Sequence, residues 1–228
     1  TDLVTDYDTA AEALIIKGLR ARFPDHAILA EEGGAVAGGA GTARWLVDPL
    51  DGTTNFAHGL RVFSVSVGYE RDGTLAAGAV YDPSQDELFQ ATAGGGATVN
   101  GQPIRVSETD TLLRSLLGTG FPYDLAMMPI ALRQFSALSM QVQAVRRVGS
   151  AALDCCWVAA GRFDGYWENV VNAWDVAAGA LIAIEAGATI TDVKGNPFKV
   201  DAGSILVANP ALHGQILASV TEASREPS

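Results

Sequence analysis

A mixed fold, α+β passing into α/β, is predicted from three observations. The chain opens with a helical stripe and continues into short strands separated by turn signals, the pattern of a mainly antiparallel sheet. Near residue 115 the rhythm changes to strands alternating with helices that stop at glycines, the pattern of a layered α/β unit. Finally, 228 residues with 48% hydrophobic and 18% charged content supply a core and exclude a disordered or fibrous chain. The change of rhythm divides the chain into an N-terminal α+β domain, 1–114, and a C-terminal α/β domain, 115–228.

The first helix is expected over Asp8 to Phe23, with Ala11, Leu14, Ile15, Leu19 and Phe23 on one stripe and Pro24 as its stop. Ala27 to Ala30 and Trp45 to Val47 are short apolar runs that end in acids. Between them, Gly33 to Gly41 reads as a mobile connection. Phe63, Val65, Val67 and Tyr69 alternate with Ser64, Ser66 and Gly68, a half-buried strand. Leu75 to Tyr81 and Glu87 to Ala91 follow as strands, and Asn100-Gly101 is a two-residue hairpin turn. Beyond residue 115, strands are expected at Leu116 to Gly118, Val145 to Val148, Phe163 to Trp167, Ala188 to Val193 and Ser204 to Ala208. Helices are expected at Ile130 to Met140, Ser150 to Ala160, Ala173 to Ala186 and Leu212 to Val220.

Charge narrows the partners. Twenty-six acids against fifteen Lys and Arg give −11, which argues against a general grip on nucleic acid or anionic lipid. No apolar run is long enough to span a bilayer, and no signal core is present. The chain begins a few residues before its first helix, so an upstream segment is expected. Cys155 and Cys156 are neighbours, which disfavours a disulfide and reads as two small apolar residues in a helix of a cytoplasmic protein.

Carboxylates gather at strand ends. Trp45-Leu46-Val47 delivers Asp48, Pro49 stops the ladder, and Asp51 follows three residues on, so that a turn aims both acids at one point. Two carboxylates with the Leu50 carbonyl between them are hard oxygen ligands of the kind Mg²⁺ requires. Gly52 permits close backbone approach, and Thr53-Thr54 opens a short helix whose free N–H groups favour a phosphate. Asp-x-x-Asp-Gly alone reads better as a surface turn; the apolar strand before it and the Gly-Thr-Thr after it favour the metal reading. Glu31 and Glu32 close a short strand and repel each other unless a cation is near. Trp174-Asp175 stands at a helix start, where an aspartate also serves as a cap. His26, His58 and His213 lack metal-ligand spacing and read as loop or surface residues. Ser150 has no nucleophile-elbow context. Arg146 and Arg147 read as partners of acids at a strand end, with phosphate contact as the alternative. Trp157, Tyr166 and Trp167 read as core or interface aromatics, and Glu168 as either a surface acid or a contact to a substrate hydroxyl.

Asp48-Pro-Leu-Asp-Gly-Thr53, the upstream Glu31-Glu32 and the downstream Trp174-Asp175-Val-Ala-Ala-Gly179 together resemble the inositol monophosphatase family, lithium-sensitive and magnesium-dependent phosphatases. The likeness runs from Val4-Thr5-Asp6-Tyr7-Asp8 to Val207-Ala208-Asn209. It implies a layered α-β-α-β-α sandwich, usually a homodimer, that hydrolyses inositol monophosphate or a similar small polyol phosphate. Glu31, Asp48 and the Leu50 carbonyl would hold one Mg²⁺, and Asp48, Asp51 and Asp175 a second. A third, auxiliary ion in the family lies near a lysine that would precede Val4. Gly52 and Thr53 would bind phosphate, with Glu31, Thr53 and Asp8 as the catalytic group that places the attacking water. Gly149, Ser150, Ala151, Glu168 and Asp175 would face the substrate. Departures are Ala30, where glycine is common, and the poorly matching stretch Tyr123 to Leu132. Two alternatives stay open: the same machinery acting on fructose 1,6-bisphosphate, a phosphoadenosine nucleotide or histidinol phosphate, or a protein-binding regulatory factor of the transcription or RNA machinery.

Overall fold

The computed structural model describes residues 4–36, 38 and 42–225. Helix α1 (Asp6–Arg22) starts at a capping box in which Thr5 is the N-cap and Asp8 the returning acid. Strands β1 (Ala27–Ala30), β2 (Gly34–Val36) and β3 (Ala43–Asp51) follow, then the short helix α2 (Thr53–Ala57). Strands β4 (Ser64–Arg71), β5 (Thr74–Asp82), β6 (Glu87–Thr92), β7 (Ala97–Val99) and β8 (Gln102–Pro103) complete an eight-stranded sheet ordered β2-β1-β3-β4-β5-β6-β7-β8. The β1–β3 pair is parallel and the other neighbours are antiparallel. The β7–β8 turn is Asn100-Gly101, both at positive φ (48° and 77°), as a tight primed hairpin requires.

A 3₁₀ turn (Leu112–Arg114) leads to β9 (Leu116–Thr119), α3 (Met128–Ser139), β10 (Ala144–Arg146), α4 (Ala151–Ala159), β11 (Gly165–Glu168), α5 (Ala173–Glu185), β12 (Thr189–Thr191), β13 (Ile205–Ala208) and α6 (Pro210–Ala223). The second sheet runs β10-β9-β11-β13-β12. Its central strands are apolar on both faces. Tyr166, Ile205 and Val207 join one core cluster, while Trp167, Leu206 and Ala208 join the cluster on the other side. The layers are therefore α1, the large sheet, α4 with α5, the small sheet, and α3 with α6: an α-β-α-β-α sandwich. The large apolar cluster between the sheets takes Val80 and Phe89 from one and Ile205 and Val207 from the other. Among the described residues no helix is long and apolar enough to cross a membrane.

Four readings of the sequence are corrected. In α1, Leu14 is 72% exposed; the buried positions are Asp8 and Glu12, with Ile15, Ile16 and Leu19 packed on Ile28, Ala30 and Val47. The glycine-rich connection contributes a strand, β2, and its residues 37 and 39–41 lie outside the described residues. In β4 the fully buried face is the small one, Ser64, Ser66 and Gly68, while Val65 and Val67 are half-buried. The reason is close packing of α5: a Cβ at Gly68 would lie 2.7 Å from the Ala177 Cβ, and one at Gly78 would lie 2.9 Å from the Ala178 Cα. Lastly, His213 is buried on α6 with its Nε2 3.1 Å from the Thr191 hydroxyl, whereas His26 is a loop residue, as expected, and accepts from Trp45 Nε1 (3.1 Å) inside a stack with Phe23 and Tyr69. Cys155 and Cys156 are free and buried in α4, as the sequence implied.

Candidate active site

Strand β3 does not end at Pro49, as its missing donor led us to expect; pairing with β4 continues to Asp51 across a bulge. Asp48 lies opposite Ser66 and Asp51 opposite Ser64. In a regular strand, residues three apart point to opposite faces. Here the extra residue restores parity, so both acids share the face of Ser64 and Ser66. That face also meets the N-termini of α4 and α5: Ser64 Oγ is 3.4 Å from Ser150 Oγ, and Ser66 Oγ donates to the Trp174 carbonyl at 3.3 Å.

One cavity of about 200 Å³ collects the residues singled out from the sequence. Glu31, Asp48, Leu50, Asp51, Gly52, Thr53, Gly149, Ser150, Ala151, Glu168 and Asp175 all line it. Asp8 does not. It is fully buried behind Thr53, whose Oγ1 lies 3.0 Å from Asp8 Oδ1 and 3.0 Å from the Leu50 carbonyl. The other Asp8 oxygen accepts from the Thr5 N–H at 2.9 Å and from the Thr5 hydroxyl.

Each acid is held by a local device. Asp48, 2% exposed, accepts from the Leu50 N–H at 3.0 Å through Oδ1. Asp51 is gripped by the start of α4: Ser150 Oγ donates at 2.5 Å, Ala152 N at 2.8 Å and Ala151 N at 3.2 Å. Ser150 also caps α4 by accepting from Leu153 N (3.3 Å). The Ser150 hydroxyl and the Ala151 N–H are thus engaged with Asp51. Asp175 closes the capping box of α5, accepting from Asn172 N at 2.7 Å, so the capping role weighed from sequence is present. Glu168, at the end of β11, accepts from the Tyr166 hydroxyl. Gly52, at φ 96°, caps α2; a Cβ there would stand 2.9 Å from the Val62 carbonyl and 3.1 Å from that of Gly149.

The electrostatics are those of crowded acids. Burial first, then Asp51, Glu31 and Asp175, push the Asp48 carboxyl well above the usual carboxylate range. Burial raises Asp51 to about 6 against the lowering effect of Ser150 and the α4 N–H groups. Asp175 is raised by burial, against its Asn172 contact, and further by Asp51 and Glu31. Glu168 is raised to about 7 by burial, against its bond from Tyr166. Six acids line the cavity (Glu31, Asp48, Asp51, Asp124, Glu168 and Asp175) with Arg147 as the one cation among the lining residues. Among the described residues no three His, Cys, Asp or Glu side chains are drawn into a ready-made metal-ligand group. Asp51 and Asp175 are turned onto helix starts instead. The donor set nonetheless fits hard divalent cations: clustered carboxylate oxygens with an intervening carbonyl, and raised proton affinities that a cation would relieve.

Sequence reasoning missed several contributors. Glu12, 6% exposed, accepts from Glu32 N (2.9 Å) and Gly33 N (2.8 Å), shaping the chain just after Glu31. Asn55, 6% exposed, donates to the Val62 (2.8 Å) and Val148 (2.7 Å) carbonyls and so pins the loop before Gly149 to α2. Phe121 and Pro122, with Tyr123 and Asp124 from the stretch that bore little resemblance, also line the cavity. Arg146 donates to its neighbour's carbonyl, Val145, and neither Arg146 nor Arg147 makes an ion pair among the described residues, contrary to expectation.

The family model of the inositol monophosphatases matches residues 1–225. The chain belongs to the inositol monophosphatase family. A "Nus factor SuhB" of Pasteurella multocida is 44% identical over 217 residues, covering 95% of this chain and 81% of that protein. An "Inositol-1-monophosphatase" of Synechocystis sp. is 45% identical over 216 residues, covering 94% of this chain and 75% of that protein. The solved structure of an inositol monophosphatase from Anabaena (Nostoc) sp. superposes with a TM-score of 0.91 at 44% identity, over 94% of this chain and 86% of that one. The family is generally Mg²⁺-dependent.

Proposed function

We propose that this chain is a Mg²⁺-dependent phosphomonoesterase that hydrolyses inositol monophosphate or a similar small polyol phosphate by attack of water. The observation that carries the reading is the β3 bulge, which turns Asp48 and Asp51 to one side, next to Gly52-Thr53 and in one cavity with Glu31 and Asp175. A phosphate monoester dianion resists nucleophiles, and its uncatalysed hydrolysis is among the slowest reactions, requiring up to about 10²¹-fold acceleration. Glu31, Asp48 and the Leu50 carbonyl would hold one Mg²⁺, and Asp48, Asp51 and Asp175 a second. When bound, such ions lower the pKa of water and offset charge on the phosphate and leaving oxygen.

The chain's own groups do the rest. The backbone N–H groups of Gly52 and Thr53 face the phosphate. Asp8 Oδ1 holds the Thr53 hydroxyl proton, which leaves the Thr53 oxygen free to accept a hydrogen bond from the attacking water and orient it. Glu31, which lines the same cavity, is a second acceptor for that water. Glu168, anchored by Tyr166, accepts from a substrate hydroxyl.

Phosphate release from inositol 1-phosphate tests the reading. Turnover is expected with Mg²⁺, and loss of it with a chelator and in Asp48→Asn; equal rates under all three conditions would refute it. A second reading, a regulatory factor acting through a protein partner, is favoured by the 44% identity to a relative carrying the name Nus factor SuhB. A cellular phenotype that survives Asp48→Asn but is lost on changing a surface patch would support it.

A further inference from the structure

Arg147 stands out from the cavity wall. It is an exposed residue on the segment after β10, yet its guanidinium is folded over the backbone of Gly149: a Cβ there would lie 2.8 Å from Nη1. Gly149 in turn abuts Gly52, since a Cβ at Gly52 would lie 3.1 Å from the Gly149 carbonyl. Asn55 fixes this arrangement by bonding the Val148 carbonyl from within α2. The guanidinium therefore lies against Gly149, which itself abuts Gly52, in the cavity that Thr53 and Glu168 also line. It is near enough to Glu168 and Asp154 to lower the proton affinity of both, yet it makes no ion pair among the described residues. Asp124, another acid that lines the cavity, accepts from the Ala126 N–H at 2.9 Å.

The charge balance shows what the arginine is left to bind. Under the phosphatase reading, four carboxylates are matched by two divalent ions, and the scissile phosphate is met by those ions and the Gly52-Thr53 backbone. Glu168 takes a hydroxyl. Arg147 then remains as a planar five-donor cation with no acceptor, and its geometry suits a carboxylate or phosphate oxygen pair.

We infer that Arg147 is a substrate-binding, specificity-determining residue that receives a second anionic group on the substrate, so that the site favours a polyol carrying two anionic groups over one carrying the scissile phosphate alone. The inference rests on the phosphatase reading for the placement of the scissile group. The selectivity arises from charge: a guanidinium–anion hydrogen-bond pair at a partly enclosed site is stronger than its contact with a neutral hydroxyl.

The test compares inositol 1,4-bisphosphate with inositol 1-phosphate, as the ratio of their kcat/KM values, for the wild type, Arg147→Gln and Arg147→Lys. Arg147→Gln is expected to lower the ratio about tenfold or more, mainly through KM of the bisphosphate. Arg147→Lys is expected to restore part of it. An unchanged ratio, whether both values fall together or neither does, overturns the inference. The same ratio is read from dissociation constants by calorimetry. If neither compound is turned over, the phosphatase reading fails, and a binding ratio that does or does not fall in Arg147→Gln still decides the role of the arginine.

Discussion

Asp8 and Glu12, one turn apart on the buried face of α1, hold two different walls of the cavity. Asp8 accepts from the Thr53 hydroxyl at 3.0 Å, and Glu12 accepts from the N–H groups of Glu32 and Gly33. Residues four apart on a helix share a face. One helix thereby sets the relative position of the Glu31 strand end and the Asp51-Gly-Thr53 turn, although neither acid of the pair lines the cavity.

Asp8→Asn keeps the shape but weakens the acceptor that holds the Thr53 proton. We expect kcat to fall by roughly ten- to a hundredfold, as for loss of a group that positions a proton. The helix cap loses less than about 1 kcal/mol. Steady-state kinetics beside thermal melts check this. A kcat unchanged in a well-folded variant would remove Asp8 from the catalytic account.

Glu12→Ala leaves two N–H groups behind Glu31 without their acceptor. Loss of these part-buried hydrogen bonds to a charged acceptor costs about 1.5–3 kcal/mol, read by urea denaturation. Because Glu31 immediately precedes these donors, the affinity for Mn²⁺ is expected to weaken as well. A loss of stability with unchanged Mn²⁺ affinity would show that Glu12 only supports the fold.

The parts of the site that were legible are those governed by local chemistry. Asp48-x-x-Asp51-Gly-Thr is a strand end, a turn and a helix start in consecutive residues, and Asn100-Gly101 needs only its own backbone preference. What escaped depends on distant partners. Glu12 belongs to the inner face of α1 because Glu32 and Gly33, twenty residues on, need an acceptor there, while Leu14 faces water. Ser64, Ser66 and Gly68 became the inner face of β4 because α5 presents Ala177 and Ala178 at backbone distance. Arg147 read as a strand-end partner of acids, since the Asn55 clip that turns its segment into the cavity spans ninety-three residues.

Gly68→Ala tests that close packing. With the Ala177 Cβ 2.7 Å and the Ala178 N 3.1 Å from the new methyl, backbone must move, costing about 1–3 kcal/mol. Since α5 begins beside Asp175, the displacement is expected to weaken metal binding also. Denaturation midpoints and Mn²⁺ titration measure both, and a neutral effect on stability would contradict the packing argument.

The raised acids make a pH prediction. Asp48, Asp51 (about 6), Asp175 and Glu168 (about 7) bind protons more tightly in the folded chain than in the unfolded one. The folded state therefore carries more protons, and the contribution of these groups to stability falls as pH rises through the window from about 4 to 7. Without metal, the melting temperature is expected to drop from pH 5 to pH 8. Added Mg²⁺ is expected to raise it, and more at pH 8 than at pH 5, where protons compete. Melting curves at both pH values check this; a Mg²⁺ effect that is larger at pH 5 would have the wrong sign.

The central claim is that Glu31, Asp48, Asp51 and Asp175 jointly bind divalent cations beside Gly52-Thr53. Anomalous diffraction from crystals soaked in Mn²⁺ tests it most directly. The account predicts two anomalous peaks within coordination distance of these carboxylates, one of them also near the Leu50 carbonyl, and their loss in Asp48→Asn. A cavity without anomalous signal at millimolar Mn²⁺, in crystals whose four carboxylates are ordered and accessible, would contradict it.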